Sequence, residues 1–277
     1  MAALLSLLSA LMWGSADFLG GVTARRRSAV ALYLGSQAFG FLVLLAVVLI
    51  RGDWHASLGY LGWGIALGIA GLVSMVAFYR ALAMGPMGLV SPLVAVAVVV
   101  PVVVGFISGE LPNAMEIAGI AIAFIGVLLA SGPELTGAAS MRPLAYTAVA
   151  AAGFGFLYVG MAKGSESSPS MTMLTYRAVS VVILLIVLVV VRNSGGIERA
   201  DIPVLAAIGT LDATANLLFG FASTLGLLTT TSVLSSLYPV VTAVLAAVFL
   251  RERLRPIQYL GVTVAMVGVV LLTASGA

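Results

Sequence analysis

Cysteine is absent from the 277 residues, histidine occurs once, at His55, and lysine once, at Lys163. Without cysteine there is no disulfide and no thiolate metal site. With one histidine, a histidine-based metal centre, a catalytic triad or a redox couple has almost no material. No cofactor, no metal and no catalytic residue is therefore expected. Charge is scarce too: charged residues make up 8% of the chain, against roughly 25% in a typical soluble domain. A soluble fold of this size cannot cover its surface with so few charges, so the surface must face lipid. The net charge of +3 comes from arginines between apolar runs. No basic stretch alternates with aromatics, so no nucleic-acid partner is expected, and the arginines read as orienting charges for membrane helices.

What the chain has in abundance is apolar sequence, at 62% of residues with a mean hydropathy of +1.20. A membrane β-barrel would need alternating apolar and polar positions. Solid runs such as Val43 to Ile50 and Val179 to Val191 exclude it. At roughly 20 residues per span, the length holds about ten helices. Apolar runs between polar punctuation place them near 2–22, 29–50, 58–83, 88–108, 114–131, 143–162, 170–191, 202–225, 229–250 and 256–274. Arg25-Arg26-Arg27, Arg51-Gly52-Asp53, Gly85-Pro86 and Ser131-Gly132-Pro133 mark breaks. No basic segment precedes the first span, so it reads as a retained helix and not as a cleaved signal. The expected class is an all-α integral membrane protein with ten transmembrane helices, multi-pass in a cell membrane of the prokaryotic inner-membrane kind.

The chain also repeats itself. Glu110, Gly119 and Gly126 recur as Glu252, Gly261 and Gly268, an offset of 142 (252 − 110). Trp13-Gly14 meets Phe154-Gly155, Ala81 meets Ala222 and Gly85 meets Gly226 at an offset of 141 (154 − 13), so a single-residue gap reconciles the two. Five spans per repeat is an odd number. The second repeat therefore enters the membrane with opposite orientation, giving two inverted five-helix repeats at 1–138 and 139–277. Inverted repeats with a midplane site between the halves are a signature of secondary transporters. The segments after spans 1, 3, 5, 7 and 9 hold Arg25, Arg26, Arg27, Arg142, Arg192, Arg199, Arg251, Arg253 and Arg255, and the opposite side only Arg51 and Lys163. Nine against two predicts that the arginine-rich side is cytoplasmic and both termini are outside.

Three stretches resemble the EamA-type ten-helix exporters of the drug/metabolite transporter superfamily. The first is Leu11-Met12-Trp13-Gly14-Ser15-Ala16-Asp17-Phe18. The second is Phe78-Tyr79-Arg80-Ala81-Leu82-Ala83-Met84-Gly85-Pro86 with Val90-Ser91-Pro92-Leu93. The third is Tyr238-Pro239-Val240-Val241 leading to Leu250-Arg251-Glu252-Arg253-Leu254, then Gly261 and Gly268. The resemblance covers essentially the whole chain. It implies a secondary carrier that exports amino acids or other small metabolites, and it implies cytoplasmic termini, the reverse of the arginine count.

An ionisable group inside a span is expensive and therefore a functional candidate. Asp212 falls in the middle of the eighth span, with Asn216 one turn on along the same face. The pair reads as a substrate-amine or proton site, or as a structural hydrogen bond between helices. Asp17 lies one turn from Trp13 and is matched across the repeat by Tyr158, so the two are expected to face each other. It reads as a site group or as a helix-end acid. Arg177, beside Tyr176 in the seventh span, can hold a substrate carboxylate bidentately, snorkel to the interface, or pair with an acid inside. Arg80, with Tyr79, reads first as snorkelling. Ser91 precedes a proline in the fourth span, and Tyr238 precedes one in the ninth. Prolines free carbonyls, which are tolerated at depth where buried or lining a cavity. Trp13, Phe154, Phe156 and Tyr158 read as packing or as an aromatic wall. Gly64 and Gly68 read as a close helix contact.

The expectation is a non-enzymatic secondary carrier working by alternating access, with a proton exchanging on Asp212 or Asp17. Its cavity should be lined by spans 1, 3, 4, 6, 8 and 9. Its expected partners are a small-molecule substrate, membrane lipid and either no second copy or one, as monomer or homodimer. An amino acid or similar zwitterion is the first cargo, gripped by both acid and arginine. A hydrophobic-cation drug is the alternative, and an intramembrane enzyme or channel subunit is remote.

Overall fold

A computed structural model of the chain describes residues 1–24, 27, 29–84, 94, 96–130, 141–191, 198–250 and 255–275. The described residues are helical throughout their regular structure. The order is α1 (Ala2–Ala24), α2 (Ala29–Arg51), α3 (Gly59–Met84), α4 (Val99–Ile107, entered through a 3-10 turn at Val96–Val98), α5 (Ala114–Ala130) and α6 (Met141–Ser165). There follow α7 (Pro169–Val191), α8 (Ile202–Leu225), α9 (Leu228–Ser235), α10 (Tyr238–Phe249) and α11 (Pro256–Ala274). Eight helical segments are long and apolar enough to cross a membrane, Leu228–Phe249 counting as one, and the shorter apolar Val96–Ile107 and Ala114–Ala130 complete ten. Each corresponds to one predicted run. The exposed surface carries Ile186, Val189, Val190, Phe249 and Leu260, as expected of a surface that contacts lipid.

One predicted span differs in shape. The run 229–250 is two helices, because Pro239 has no N–H to return to the carbonyl of Ser235 and the ladder lapses at Ser236 and Leu237. The chain resumes with Val240 N–H donating to the Leu237 carbonyl at 2.9 Å.

The packing repeats between the halves. α1 lies on α8 as α6 lies on α3, and α2 lies on α8 as α7 lies on α3, while α2 with α7 and α5 with α11 pair across the middle. Particular residues repeat as well. A Cβ on Gly14 would stand 2.5 Å from Val241 Cβ, and one on Gly155 would stand 2.5 Å from Val100 Cβ. Adding 141 to Gly14 and Val100 gives Gly155 and Val241. Likewise Gly126 packs on the Ala265 backbone and Gly268 on that of Ala123, a pair of contacts that map onto each other with the offset of 142. Glycine is required at these points because the neighbouring helix occupies the space of a side chain. Gly64 and Gly68 have the predicted role, packing on Thr175 and Val179 of α7.

Arg27, between α1 and α2, reaches into the other repeat, to Glu198 at 2.8 Å and Asp201 at 2.9 Å. Its hydrogen bond holds the Glu198 carboxyl below the usual carboxylate range. Arg25, Arg26, Arg192, Arg251 and Arg253 of the orientation count lie outside the described residues.

Candidate functional site

A cavity of about 420 Å³ lies between the two sets of five spans. α1 brings Trp13 and Asp17 to it, four residues apart on one helix face. α8 brings Asp212 and Asn216 by the same spacing, α6 brings Tyr158, and α10 brings Tyr238. Six of the ten residues singled out in the sequence thus line one hollow. Its lining reaches Ala130 at the end of α5, Phe78 near the end of α3 and Gln258 near the start of α11. It therefore lies in the half of the bundle on the arginine-rich side.

The inner end of the cavity is aromatic. Trp13 meets Tyr158 edge-on at 5.7 Å between centroids, Tyr238 edge-on at 6.2 Å and Phe219 at 6.0 Å. Tyr158 and Phe219 close the cluster at 5.1 Å. Edge-to-face contacts of this kind hold the rings in fixed orientations, so the faces left free toward the cavity form a rigid floor.

Arg177 neither snorkels nor faces the cavity. It is 1% exposed, with its guanidinium 5.2 Å over the Tyr176 ring. One terminal nitrogen donates to Gln37 of α2 and the other to the Asp212 carboxylate. Asp212 keeps 31% of its side chain exposed, so it forms cavity wall on one side and ion-pair partner on the other. Asn216 donates to the Asp212 backbone carbonyl at 2.8 Å. Asp17 lines the same cavity as Asp212, and no described side chain hydrogen-bonds or ion-pairs with it. Among the described lining residues there are two carboxylates and no basic side chain.

Other candidate residues lie elsewhere. Arg80 is exposed near the end of α3, donating to the Tyr146 hydroxyl at 3.3 Å, away from the cavity lining. Ser91 and the Tyr79 side chain lie outside the described residues. The lining is also wider than the six expected spans: Tyr33 and Gln37 of α2, Tyr176 of α7, Ala130 of α5 and Gln258 of α11 take part. Gln37 was legible as a lone amide inside the apolar run 29–50, by the same depth argument that singled out Asp212. Tyr33 gave no such signal, because tyrosine near a span end is ordinary.

The EamA-like transporter family model matches the chain twice, at residues 1–132 and 141–274. The chain belongs to the EamA-like transporter family. Its two family segments coincide with the two sets of five spans, so this EamA-like chain is a multi-pass membrane transporter. No curated protein matches it. A solved protein crystal structure superposes with a TM-score of 0.84 at 16% identity, covering 99% of this chain and 96% of that one. At that identity the likeness establishes the shared fold.

Proposed function

We propose that the protein is a secondary carrier for small organic cations, ammonium or phosphonium, with an aromatic or apolar body. The observation that carries this reading is the cavity's charge: Asp17 and Asp212 on the wall, no basic lining residue among those described, and an aromatic floor. A carboxylate supplies an ion pair for an ammonium group, and ring faces attract the same charge. Asp17 takes the cation because it has no described side-chain partner, whereas Asp212 is engaged by Arg177. The expected zwitterion fits less well, since Arg177, which was to grip its carboxylate, is buried behind Asp212. Transport proceeds by rocking of the two halves, taken as 1–138 and 139–277, about the cavity. With the arginine-rich side cytoplasmic, the cavity faces the cytoplasm and loads cargo for export. Asp17 is also the group on which a proton can exchange with that cargo.

The test is flux in proteoliposomes. Above the passive uptake of protein-free liposomes, tetraphenylphosphonium should accumulate in response to a pH gradient, and L-threonine should not. Asp17→Asn should reduce tetraphenylphosphonium flux at least tenfold, about 1.4 kcal/mol in differential binding or barrier. Threonine accumulation without tetraphenylphosphonium flux would reverse the assignment of cargo.

A further inference from the structure

On the termini side of the bundle lies a second, smaller cleft of about 90 Å³, lined by Ser108, Glu110, Lys163, Glu166, Ser223 and Leu228 among others. Three elements border both hollows, and on α6 they come closest, with Met161 on the cavity and Ala162 on the cleft. α8 gives Asn216 to the cavity and Ser223 to the cleft, seven residues or about 10 Å apart along a helix. The broken ninth span gives Tyr238 to the cavity and Leu228 to the cleft, ten residues or about 15 Å apart.

The seal between them is polar. α9 is buried along its whole length and reads Leu228-Thr229-Thr230-Thr231-Ser232-Val233-Leu234-Ser235. Among the described residues, the hydroxyls of Thr229, Thr230 and Ser232 have no hydrogen-bond partner, nor have those of Ser6 on α1 and Ser165 on α6. A helical hydroxyl ordinarily bonds back to its own helix, as Thr231 does to the Leu227 carbonyl at 2.8 Å. Dry unpartnered hydroxyls are unfavourable in any packed interior, and a bundle surrounded by lipid gains nothing from grouping them. Their grouping between two hollows is accounted for if water reaches them in another arrangement of the same helices.

α9 is also held as a separate piece. The Glu110 carboxylate accepts the N–H groups of Leu228 at 2.6 Å and Thr229 at 2.9 Å, capping the start of α9 where helix N–H groups are otherwise unpaired. Its other end is the break at Ser236 and Leu237.

We propose that the cleft at Glu110 is the second mouth of the transport path, and that α9 is the gate that seals it, latched by Glu110 and hinged at the break. The hydroxyls of Thr229, Thr230, Ser232, Ser6 and Ser165 line the path once the gate moves. This rests on the carrier reading for its purpose, but its test needs no cargo.

The chain has no native cysteine, so single cysteines report directly. Ser232→Cys and Thr230→Cys are treated with the membrane-impermeant cation 2-(trimethylammonium)ethyl methanethiosulfonate in sealed vesicles of known orientation. Leu44→Cys, equally buried on α2 among apolar neighbours, is the control. Reagent on the termini side should modify the α9 cysteines at least tenfold faster than the control, and Glu110→Gln should raise that rate at least a further fivefold. Should Glu110→Gln not fold, the comparison with Leu44→Cys in the parent background decides alone. Modification of the α9 cysteines no faster than Leu44→Cys, or only from the arginine-rich side, overturns the gate. Flux of tetraphenylphosphonium with unmodifiable α9 cysteines overturns the gate and leaves the carrier standing, whereas absent flux with modifiable cysteines does the reverse.

Discussion

Asp212 and Arg177 divide between them the roles that depth alone had left open. Both are ionisable groups inside spans, and each satisfies the other: Arg177 is sealed against Tyr176 and Gln37, and Asp212 turns its remaining face to the cavity. Removing Asp212 leaves the buried Arg177 charge uncompensated, typically a loss of about 3–5 kcal/mol, and removing Arg177 leaves Asp212 unpaired at the cavity wall. Arg177→Leu and Asp212→Leu should therefore each lower the thermal unfolding midpoint sharply in detergent, and the double variant should be more stable than either. A double variant as unstable as the sum of the singles would mean that the two side chains act separately. Asp17 behaves differently, because no described side chain depends on it. Asp17→Asn should leave the unfolding midpoint within a few degrees of the parent while flux falls.

At the scale of elements, glycines set how closely the halves meet. Gly126 and Gly268 occupy repeat-related places against Ala265 and Ala123, so Gly126→Val and Gly268→Val should destabilise by similar amounts, each about 1–3 kcal/mol from overpacking. Unequal losses in thermal denaturation would show that the two contacts are not equivalent. These glycines were legible in the sequence because spacing survives where side-chain identity has drifted. The split of the ninth span was half legible: Pro239 was visible, but a proline can either bend a helix or end it, and packing decides which. The partnership of Arg177 with Asp212 was not legible, since 35 residues and a helix reversal separate them and nothing local records the crossing. Glu110 matched Glu252 by spacing, but spacing says nothing of its partner, the start of a helix in the other half.

For the whole molecule, the cavity's position ties transport direction to membrane orientation. The hollow lies on the side of the bundle where α3 and α5 end and α11 begins, the side to which the sequence count assigns the nine arginines, so on the proposed carrier reading the compartment that receives that side meets the cavity in this arrangement. The arginine count places it in the cytoplasm, and the family resemblance places the termini there instead. A reporter fused after Ala277 that is active only outside the cytoplasm should be active, and a reporter requiring the cytoplasm should be silent. The opposite result would turn the same cavity outward and recast this arrangement as the unloading state of an exporter. The α5–α11 contact carries a different implication, one about assembly. Gly126 beside Ala265 and Ala123 beside Gly268 mean that a half supplies both the notch and the bump at one surface. Such a surface is self-complementary in the isologous sense. Two copies of a single half, inserted in opposite directions, would meet along it, so the surface that joins the halves within one chain also suits the pairing of two separate halves.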